Sequence, residues 1–108
     1  YISREIIIGH LNAGQQLPSI RELALQLTVN VNTVQRAITA LIAAGIVVPQ
    51  RGKGNFVTTD TGAIIKLREQ VVKTQLATLY DHLVALKITP AEMERYLKQY
   101  IREQENND

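Results

Sequence analysis

The segment from Pro18 to Phe56 limits the possible fold more than any other part of the chain. It contains two short runs with helical apolar spacing, joined by a turn at Thr28-Val29. Two strand-like runs follow, Ile46 to Val48 and Asn55 to Thr58, on either side of a glycine-containing turn at residues 49–54. This order predicts two helices joined by a tight turn, and then a small β-hairpin.

The first of these helices has a clear start signal. Ser19 is a favourable N-cap, and Glu22 stands three residues later, at the spacing of a capping box. Arg21 falls in the first turn, where the helix dipole disfavours a cation unless a phosphate or a base edge approaches it. A solvated surface arginine is the other interpretation of this position. The side chains expected to be buried are Leu23, Ala24 and Leu27.

The second helix is marked at both ends. Asn30 is a favourable N-cap, and Gly45 suits the left-handed residue that follows many helices. Between them, apolar residues recur at helical spacing on one face: Val34, Ile38, Leu41 and Ile42. The helix is therefore expected to bury this face and to expose the opposite one.

The opposite face carries small, polar or basic side chains and no acidic residue. Its members are Asn32, Thr33, Gln35, Arg36 and Thr39. They offer the donors, acceptors and methyl groups that read base edges, near the helix end that enters the major groove in helix-turn-helix proteins. Such a face could also be merely solvated, although Glu and Lys are more usual on solvated helices.

Positive charge is concentrated in the first half of the chain. Residues 1–60 hold five Lys or Arg and three Asp or Glu, whereas residues 61–108 hold seven of each, so the net charge of +2 arises from the first half. Arg51 and Lys53 lie in the predicted hairpin turn, beside Gly52 and Gly54. The glycines allow close backbone approach, and the two cations suit a phosphate or a minor groove.

Residues 2–58 resemble the winged helix-turn-helix domain of GntR-family bacterial regulators. The segments that carry the resemblance are Leu17 to Ala24 (LPSIRELA), Val29 to Val34 (VNVNTV), Arg36-Ala37, Leu41, Gly45 and Arg51 to Val57 (RGKGNFV). The resemblance implies DNA contact from the start of the first helix, from the second (recognition) helix and from the tip of the hairpin (the wing). The predicted DNA-binding residues are Arg21, Asn30, Asn32, Thr33, Gln35, Arg36, Arg51, Gly52 and Lys53.

Three positions depart from the pattern of the GntR family. Thr28 replaces a frequent glycine, and Val31 stands where many members have proline or arginine. Gln35 occupies a position that is arginine in some branches. The base preference of the recognition helix therefore cannot be carried over from a relative.

The C-terminal half is predicted to begin with a hinge at Asp60-Thr61-Gly62, followed by a long helix from Ala63 to about Leu86. Apolar residues repeat every seven positions along this helix, with further apolar residues between them. The resulting stripe is wider than a two-helix seam requires, which indicates self-association. The residues predicted to form a dimer interface are Ile65, Val72, Leu76, Leu79, Leu83, Leu86, Tyr96 and Tyr100.

A last helix is predicted to start at Thr89, with Pro90 at its first position and Glu92 completing a capping box. The polar tail from Glu103 to Asp108 is expected to fray. A C-terminal half of only two helices resembles the short effector domain of the YtrA-like branch of the GntR family. That resemblance implies a symmetric homodimer, which reads a palindromic operator as two half-sites.

The sequence gives little support for other kinds of site. It has no cysteine, and neither His10 nor His82 has a partner at metal-ligand spacing, so no metal, cofactor or enzymatic role is predicted. Tyr80, Tyr96 and Tyr100 could line a pocket for a small effector, but tyrosines on helical faces more often belong to a core or an interface. The absence of cysteine fits the cytoplasm. No apolar run approaches the roughly 18 residues of a membrane span, and no signal peptide is expected at the start of the sequence. Because the sequence starts at Tyr1, a few N-terminal residues are expected to be missing.

The predicted fold class is mainly α with a small β-hairpin. A winged helix-turn-helix domain is expected over residues 1–60, and a two-helix dimerisation region over residues 61–108. The predicted function is that of a sequence-specific regulator of transcription, a repressor that binds double-stranded DNA as a homodimer. The alternative is a winged helix used for protein–protein contact, with the two C-terminal helices as a docking hairpin.

Overall fold

The computed structural model describes residues 1–107, which form five helices and one two-stranded sheet. In chain order the elements are α1 (Ile2–Ile7), α2 (Ile20–Leu27), α3 (Val31–Ala43), β1 (Val47–Gln50), β2 (Gly54–Val57), α4 (Thr61–Ala85) and α5 (Pro90–Glu105). Contacts divide the chain into two compact units, Tyr1–Gln70 and a second unit that begins at Val71. The predicted architecture, mainly helical with a small hairpin, is confirmed.

One hydrophobic core lies under α3 in the first unit. Val34 and Ile38 on its inner face are only 2% and 1% exposed, as predicted. The other core residues are Ile2, Ile6, Leu17, Leu23, Ala24, Leu41, Ile46, Val47, Val57 and Leu67. Ile42 was predicted to be buried, but it is 36% exposed because it lies at the edge of the apolar stripe.

The start and the end of α2 differ in how well the sequence predicts them. Ser19 caps the helix as predicted, since its Oγ accepts a hydrogen bond from the Glu22 N–H at 3.1 Å. The return bond from the Glu22 carboxylate, which would complete the capping box, is not formed between these two residues. The helix ends at Leu27, and its C-cap, Thr28, has a left-handed φ of 55° that is unusual for a β-branched residue.

The ends of α3 are both as predicted. Asn30 caps the helix, and its Oδ1 accepts a hydrogen bond from the Asn32 N–H at 2.7 Å. Gly45 follows the helix with a φ of 76°. The next N–H, from Ile46, donates to the Leu41 carbonyl at 2.9 Å, which is the long bond of a Schellman motif.

The hairpin is longer, and its turn shorter, than the sequence predicts. The predicted turn covers residues 49–54, whereas Pro49 and Gln50 extend β1 and the turn is confined to residues 51–53. Pro and Gln are common in turns, but here Pro49 pairs with Asn55 across the sheet.

Pro49 is compatible with a strand because of the direction in which its backbone nitrogen points. Hydrogen bonds to the partner strand alternate along β1, and one of them joins the Thr58 N–H to the Ile46 carbonyl at 2.8 Å. Every second residue of the strand bonds to β2, and Ile46 is one of these residues. Pro49 is an odd number of residues further along, so its nitrogen faces away from β2. Proline therefore costs no bond within the hairpin.

The residues predicted to form a hinge instead begin α4. Thr61 and Gly62 lie in its first turn, and Asp60 caps it. The Asp60 Oδ1 accepts hydrogen bonds from the N–H groups of Gly62 at 3.0 Å and Ala63 at 3.3 Å. A carboxylate at this end also interacts favourably with the helix dipole. These interactions offset the poor helix propensity of Gly62.

The capping box predicted for α5 is complete. The Thr89 Oγ1 accepts a hydrogen bond from the Glu92 N–H at 3.3 Å, and the Thr89 N–H donates to the Glu92 Oε1 at 3.1 Å. Hydrogen bonds from the backbone and side chain of Thr89, together with the charge of Arg95, hold the pKa of Glu92 below its ordinary value. The ionised carboxylate is therefore the form that caps the helix.

The C-terminal end of α5 differs from the prediction. Fraying was expected from Glu103, but the helix continues to Glu105, and Asn106 forms its C-cap. Asp108, also part of the predicted fraying tail, lies outside the described residues. Backbone hydrogen bonds of the last turn, such as the one from the Asn106 N–H to the Arg102 carbonyl at 3.0 Å, keep these polar residues helical.

The second unit exposes many large apolar side chains. They are Val72, Leu76, Leu79, Tyr80, Val84, Leu86, Tyr96, Leu97, Tyr100 and Ile101. Two helices have too little facing surface to cover a stripe of this width. The unit therefore presents an apolar surface larger than the isolated exposed residues that are normal in monomeric proteins.

We expect Thr28→Gly to stabilise the first unit. A left-handed conformation costs an L-residue about 1–2 kcal/mol, while glycine loses about 0.5–1 kcal/mol more conformational entropy on folding. The net result should be a rise of about 0.5–1 kcal/mol in the free energy of unfolding, measured by urea denaturation.

Thr33→Gly is the matched control for this prediction, because Thr33 lies within α3 and has no positive φ. The same chemical change there should lower the free energy of unfolding by a few tenths of a kcal/mol, roughly the difference in helix propensity. A loss of stability in Thr28→Gly as large as that in Thr33→Gly would contradict the assignment of strain to Thr28.

Candidate nucleic-acid interface

α3 exposes the polar face predicted to read DNA. Its exposed residues include Asn32, Thr33, Gln35, Arg36 and Thr39. Because Val34 and Ile38 anchor the opposite side in the core, the helix cannot rotate without burying polar groups. No acidic residue occurs anywhere along α3, so nothing on this helix repels a phosphate.

Asn30 has a structural role in addition to the predicted DNA contact. Its Oδ1 is occupied by the Asn32 N–H at 2.7 Å. The side-chain amide still has two N–H donors, and the residue is exposed. Asn30 can therefore cap the helix and donate to a phosphate oxygen at the same time.

The wing tip presents two cations on a tightly closed turn. The Lys53 N–H donates to the Gln50 carbonyl at 2.9 Å, which closes the turn. Gly52 has a φ of 75°, a conformation that side-chain-bearing residues rarely adopt. Arg51 and Lys53 are both exposed at this tip.

A groove of about 750 Å³ lies between the wing tip and the start of α2. Arg21 and Lys53 both line it, and so does the first turn of α2. The earliest backbone N–H groups of a helix have no intrahelical partner and attract anions. The carboxylate of Glu22 also lines the groove and offsets part of this positive charge. The arrangement suits a phosphate of a nucleic-acid backbone.

The cations of this surface are not neutralised within the described part of the chain. In residues 1–107 the pair found between a basic and an acidic side chain joins His10 Nδ1 to Glu5 Oε2 at 2.6 Å. The four cations at the proposed interface, Arg21, Arg36, Arg51 and Lys53, make no such pair there. Their charge is therefore available to an external anion.

Gln16 holds the wing against the loop before α2, a role that sequence reasoning missed. Its Nε2 donates to the Lys53 carbonyl at 2.7 Å. The same nitrogen lies 3.1 Å from the position that a Cβ on Gly54 would occupy. Leu17 adds a backbone bond to β2, from its N–H to the Asn55 carbonyl at 2.8 Å. We call the contact between Gln16 and Lys53 the wing clasp.

Comparison with known proteins identifies the family. Residues 1–57, which include α1 to α3 and the hairpin, match the family model described as bacterial regulatory proteins, gntR family. The chain belongs to the GntR family. It is therefore a DNA-binding transcriptional regulator from a family that is not enzymatic, as the sequence predicts.

Similar proteins include short GntR-type regulators. The chain is 32% identical over 95 residues to YhcF, an uncharacterized HTH-type transcriptional regulator of Bacillus subtilis, covering 88% of this chain and 78% of YhcF. It is 33% identical over 72 residues to the HTH-type transcriptional repressor YtrA of the same organism, covering 66% of this chain and 55% of YtrA. The chain thus spans about half the length of YtrA.

A solved structure of a GntR-family protein is similar to this chain over most of its length. The GntR family transcriptional regulator from Listeria monocytogenes has a TM-score of 0.80 and 33% identity, covering 92% of this chain and 87% of that one. The similarity extends beyond the winged helix into the C-terminal helices. The resemblance to short YtrA-like regulators, predicted from the sequence, is confirmed.

The C-terminal unit of this GntR protein contains an apolar groove of about 540 Å³ between α4 and α5. Tyr80, Tyr96 and Tyr100, for which a pocket was the less favoured of two interpretations, all line it. Its other lining residues are Leu76, Leu79, Leu83, Met93, Glu94 and Leu97. Six of the nine are also exposed apolar residues, so the groove is continuous with the apolar surface of this unit.

Sites of other kinds are not found in the described chain. Within residues 1–107, no three His, Asp or Glu side chains come together as metal ligands could. His10 lies beside Glu5, and His82 lies exposed on α4. None of the described helices combines the length and the apolar character that crossing a membrane requires.

Breaking the wing clasp is expected to weaken both the hairpin and DNA binding. In Gln16→Ala the Lys53 carbonyl loses its donor, so the free energy of unfolding should fall by about 0.5–1.5 kcal/mol. The wing tip also loses a fixed position, and affinity for any DNA duplex should fall several-fold. Urea denaturation and fluorescence anisotropy would measure the two effects.

Two further variants separate the clasp from a general effect of substitution. Gln16→Glu keeps the length of the side chain but cannot donate, so it should lose the same hydrogen bond as Gln16→Ala. Its carboxylate lies in the groove that Arg21 and Lys53 line, so it should weaken DNA binding further than Gln16→Ala does. Gln26→Ala changes an exposed glutamine on α2 and should leave stability and affinity unchanged. If all three variants had the same stability and the same affinity for DNA, the clasp would have no role.

Proposed function

We propose that this GntR-family chain represses transcription as a cytoplasmic homodimer bound to a palindromic operator. Residues 1–60 form the DNA-binding part, and residues 61–108 form the dimerisation region. The observation that carries the proposal is the exposed, acid-free face of α3 together with cations that have no partner in the described chain. Both features favour a polyanion over a protein surface as the partner.

The contacts with DNA divide into two classes. Asn32, Thr33, Gln35 and Arg36 lie on the exposed face of α3 and read base edges in the major groove. Arg21, Arg51 and Lys53 contact the phosphate backbone and fix the position of the protein on the duplex. The groove that Arg21 and Lys53 share supports this assignment, because a phosphate there meets two cations and a helix start.

The homodimer is supported by the apolar surface of the C-terminal helices. Of the residues predicted to form the interface, Leu83 is partly buried and the others are exposed. The exposed ones are Ile65, Val72, Leu76, Leu79, Leu86, Tyr96 and Tyr100. A second copy of the same surface buries these side chains, and each fully buried Leu contributes about 1.5–3 kcal/mol.

The palindromic operator follows from the symmetry of such a dimer. A two-fold axis relates the two copies of α3, so each copy reads the same half-site sequence in opposite directions. Repression is supported by the similarity to YtrA, which is named a transcriptional repressor. A dimer bound across a promoter denies that DNA to RNA polymerase.

Two substitutions distinguish phosphate contacts from base contacts. We expect Lys53→Ala to weaken all duplexes alike and to lower the salt slope of binding by roughly one unit, because one phosphate contact is lost. Asn32→Ala should reduce the binding free energy by about 1–3 kcal/mol for the preferred sequence alone. Anisotropy titrations at several salt concentrations, with a duplex selected from a random pool, measure both.

Lys73→Ala is the control for the loss of a positive charge, since Lys73 is exposed on α4 outside the proposed DNA surface. It should leave the salt slope unchanged. Binding that neither depends on salt nor responds to Arg36→Ala would exclude DNA recognition by this surface. That result would favour the alternative role in protein–protein contact.

The dimer is tested by a charge in its apolar surface. Leu79→Asp places one carboxylate in each copy of the interface, so loss of the two buried leucines alone should cost about 3–6 kcal/mol of association free energy. Sedimentation should show a monomer at micromolar concentration, with weaker binding to a palindromic duplex. Gln75→Asp, at an exposed polar position of the same helix, should remain a dimer. A wild-type monomer at that concentration would refute the proposal.

A further inference from the structure

Gln35 and Thr39 are linked by two hydrogen bonds on the exposed face of α3. The Thr39 hydroxyl donates to the backbone carbonyl of Gln35 at 2.8 Å. The side-chain Nε2 of Gln35 donates to the Thr39 Oγ1 at 3.3 Å. The two residues are one helical turn apart, and both are exposed.

The proton of the Thr39 hydroxyl decides the orientation of the Gln35 amide. A hydroxyl has a single proton to donate, and here that proton is used on the Gln35 carbonyl. The Thr39 oxygen can then only accept from the Gln35 side chain. The side chain must therefore turn its NH2 group, and not its carbonyl oxygen, toward Thr39.

This orientation leaves a defined pair of groups on Gln35. One N–H of the amide is used on Thr39, so the Oε1 acceptor and the second N–H donor remain. When the N–H that donates to Thr39 is the one trans to Oε1, Oε1 and the remaining N–H lie side by side on the planar amide. Such a pair complements a base edge that presents one donor next to one acceptor.

We propose that Gln35 reads an adenine in each half-site, and that Thr39 is a positioning residue that holds the Gln35 amide in the reading orientation. This inference rests on the proposed DNA binding by α3. In the major groove adenine presents the N6 amine as donor and N7 as acceptor, which match the free Oε1 and N–H. Guanine presents two acceptors, and its O6 would face the Oε1 of Gln35. Cytosine and thymine each allow one such bond at most.

The contact with Thr39 also reduces the cost of recognition. A free glutamine side chain loses rotamer freedom when it binds a base, and an already oriented one loses less. The Thr39 hydroxyl therefore contributes to affinity without touching the DNA. Loss of that hydroxyl should affect adenine more than other bases, because only adenine uses both groups of the amide.

Base analogues test the reading of adenine. The preferred duplex is first selected from a random pool with the full chain, and each adenine in it is then replaced in turn. We expect one position per half-site where 2-aminopurine, which lacks the N6 amine, and 7-deazaadenine, which lacks N7, each weaken binding roughly tenfold or more. In Gln35→Ala the same replacements should change the affinity less than twofold.

Variants at the two positions test the rest of the inference. Gln35→Arg should change the preferred base at that position from adenine to guanine, because Arg pairs with the two acceptors of guanine. The discrimination ratio is the affinity for the duplex with adenine at that position divided by the affinity for the duplex with guanine there. Thr39→Val should lower this ratio about threefold or more, and Thr39→Ser should keep it at the wild-type value. Thr78→Val is the matched control, since Thr78 also donates its hydroxyl to a backbone carbonyl of its own helix. It should leave the ratio unchanged.

Each failure has a distinct meaning. Absence of any sequence-selective binding would overturn both the proposed function and this inference. Selective binding in which no adenine replacement depends on Gln35 would overturn the inference alone. A discrimination ratio that is the same in Thr39→Val as in the wild type would overturn the positioning role of Thr39.

Discussion

The burial of one face of α3 is the constraint on which the DNA-binding unit depends. Val34 and Ile38 are almost fully enclosed, and a helix has only one orientation that keeps both of them in the core. Every other position on α3 is then fixed by the helical period, including the outward direction of Gln35 and Arg36. The same packing that stabilises the unit therefore determines which side chains a nucleic acid can meet.

The wing depends on contacts of another kind. Its turn is too short to contribute to the core, so its position is set by backbone bonds to residues 14–17 and by the wing clasp. These bonds connect the wing to the loop that leads into α2. Arg21 and Lys53 face one groove for this reason, although 31 intervening residues separate them in sequence.

The sequence predicts features that depend on near neighbours and misses those that depend on distant ones. The caps at Asn30 and Thr89 were predicted because each signal lies within one turn of its helix. The wing clasp could not be predicted, since it joins residues 37 apart through a side chain with no motif of its own. The earlier start of α4, at the predicted hinge, was missed for a related reason. Gly62 suggests a break by itself, but the cap from Asp60 favours the helix.

Pro49 also affects how readily this protein aggregates at high concentration. β1 lies at the edge of a small sheet, and such an edge can pair with the strand of another molecule and begin aggregation. At Pro49 the outer edge has no N–H to offer an incoming strand. The proline therefore protects the exposed side of the wing against strand addition, while the bonds inside the hairpin remain intact. The wing can therefore stay exposed for DNA without its edge strand pairing with the wing of another molecule.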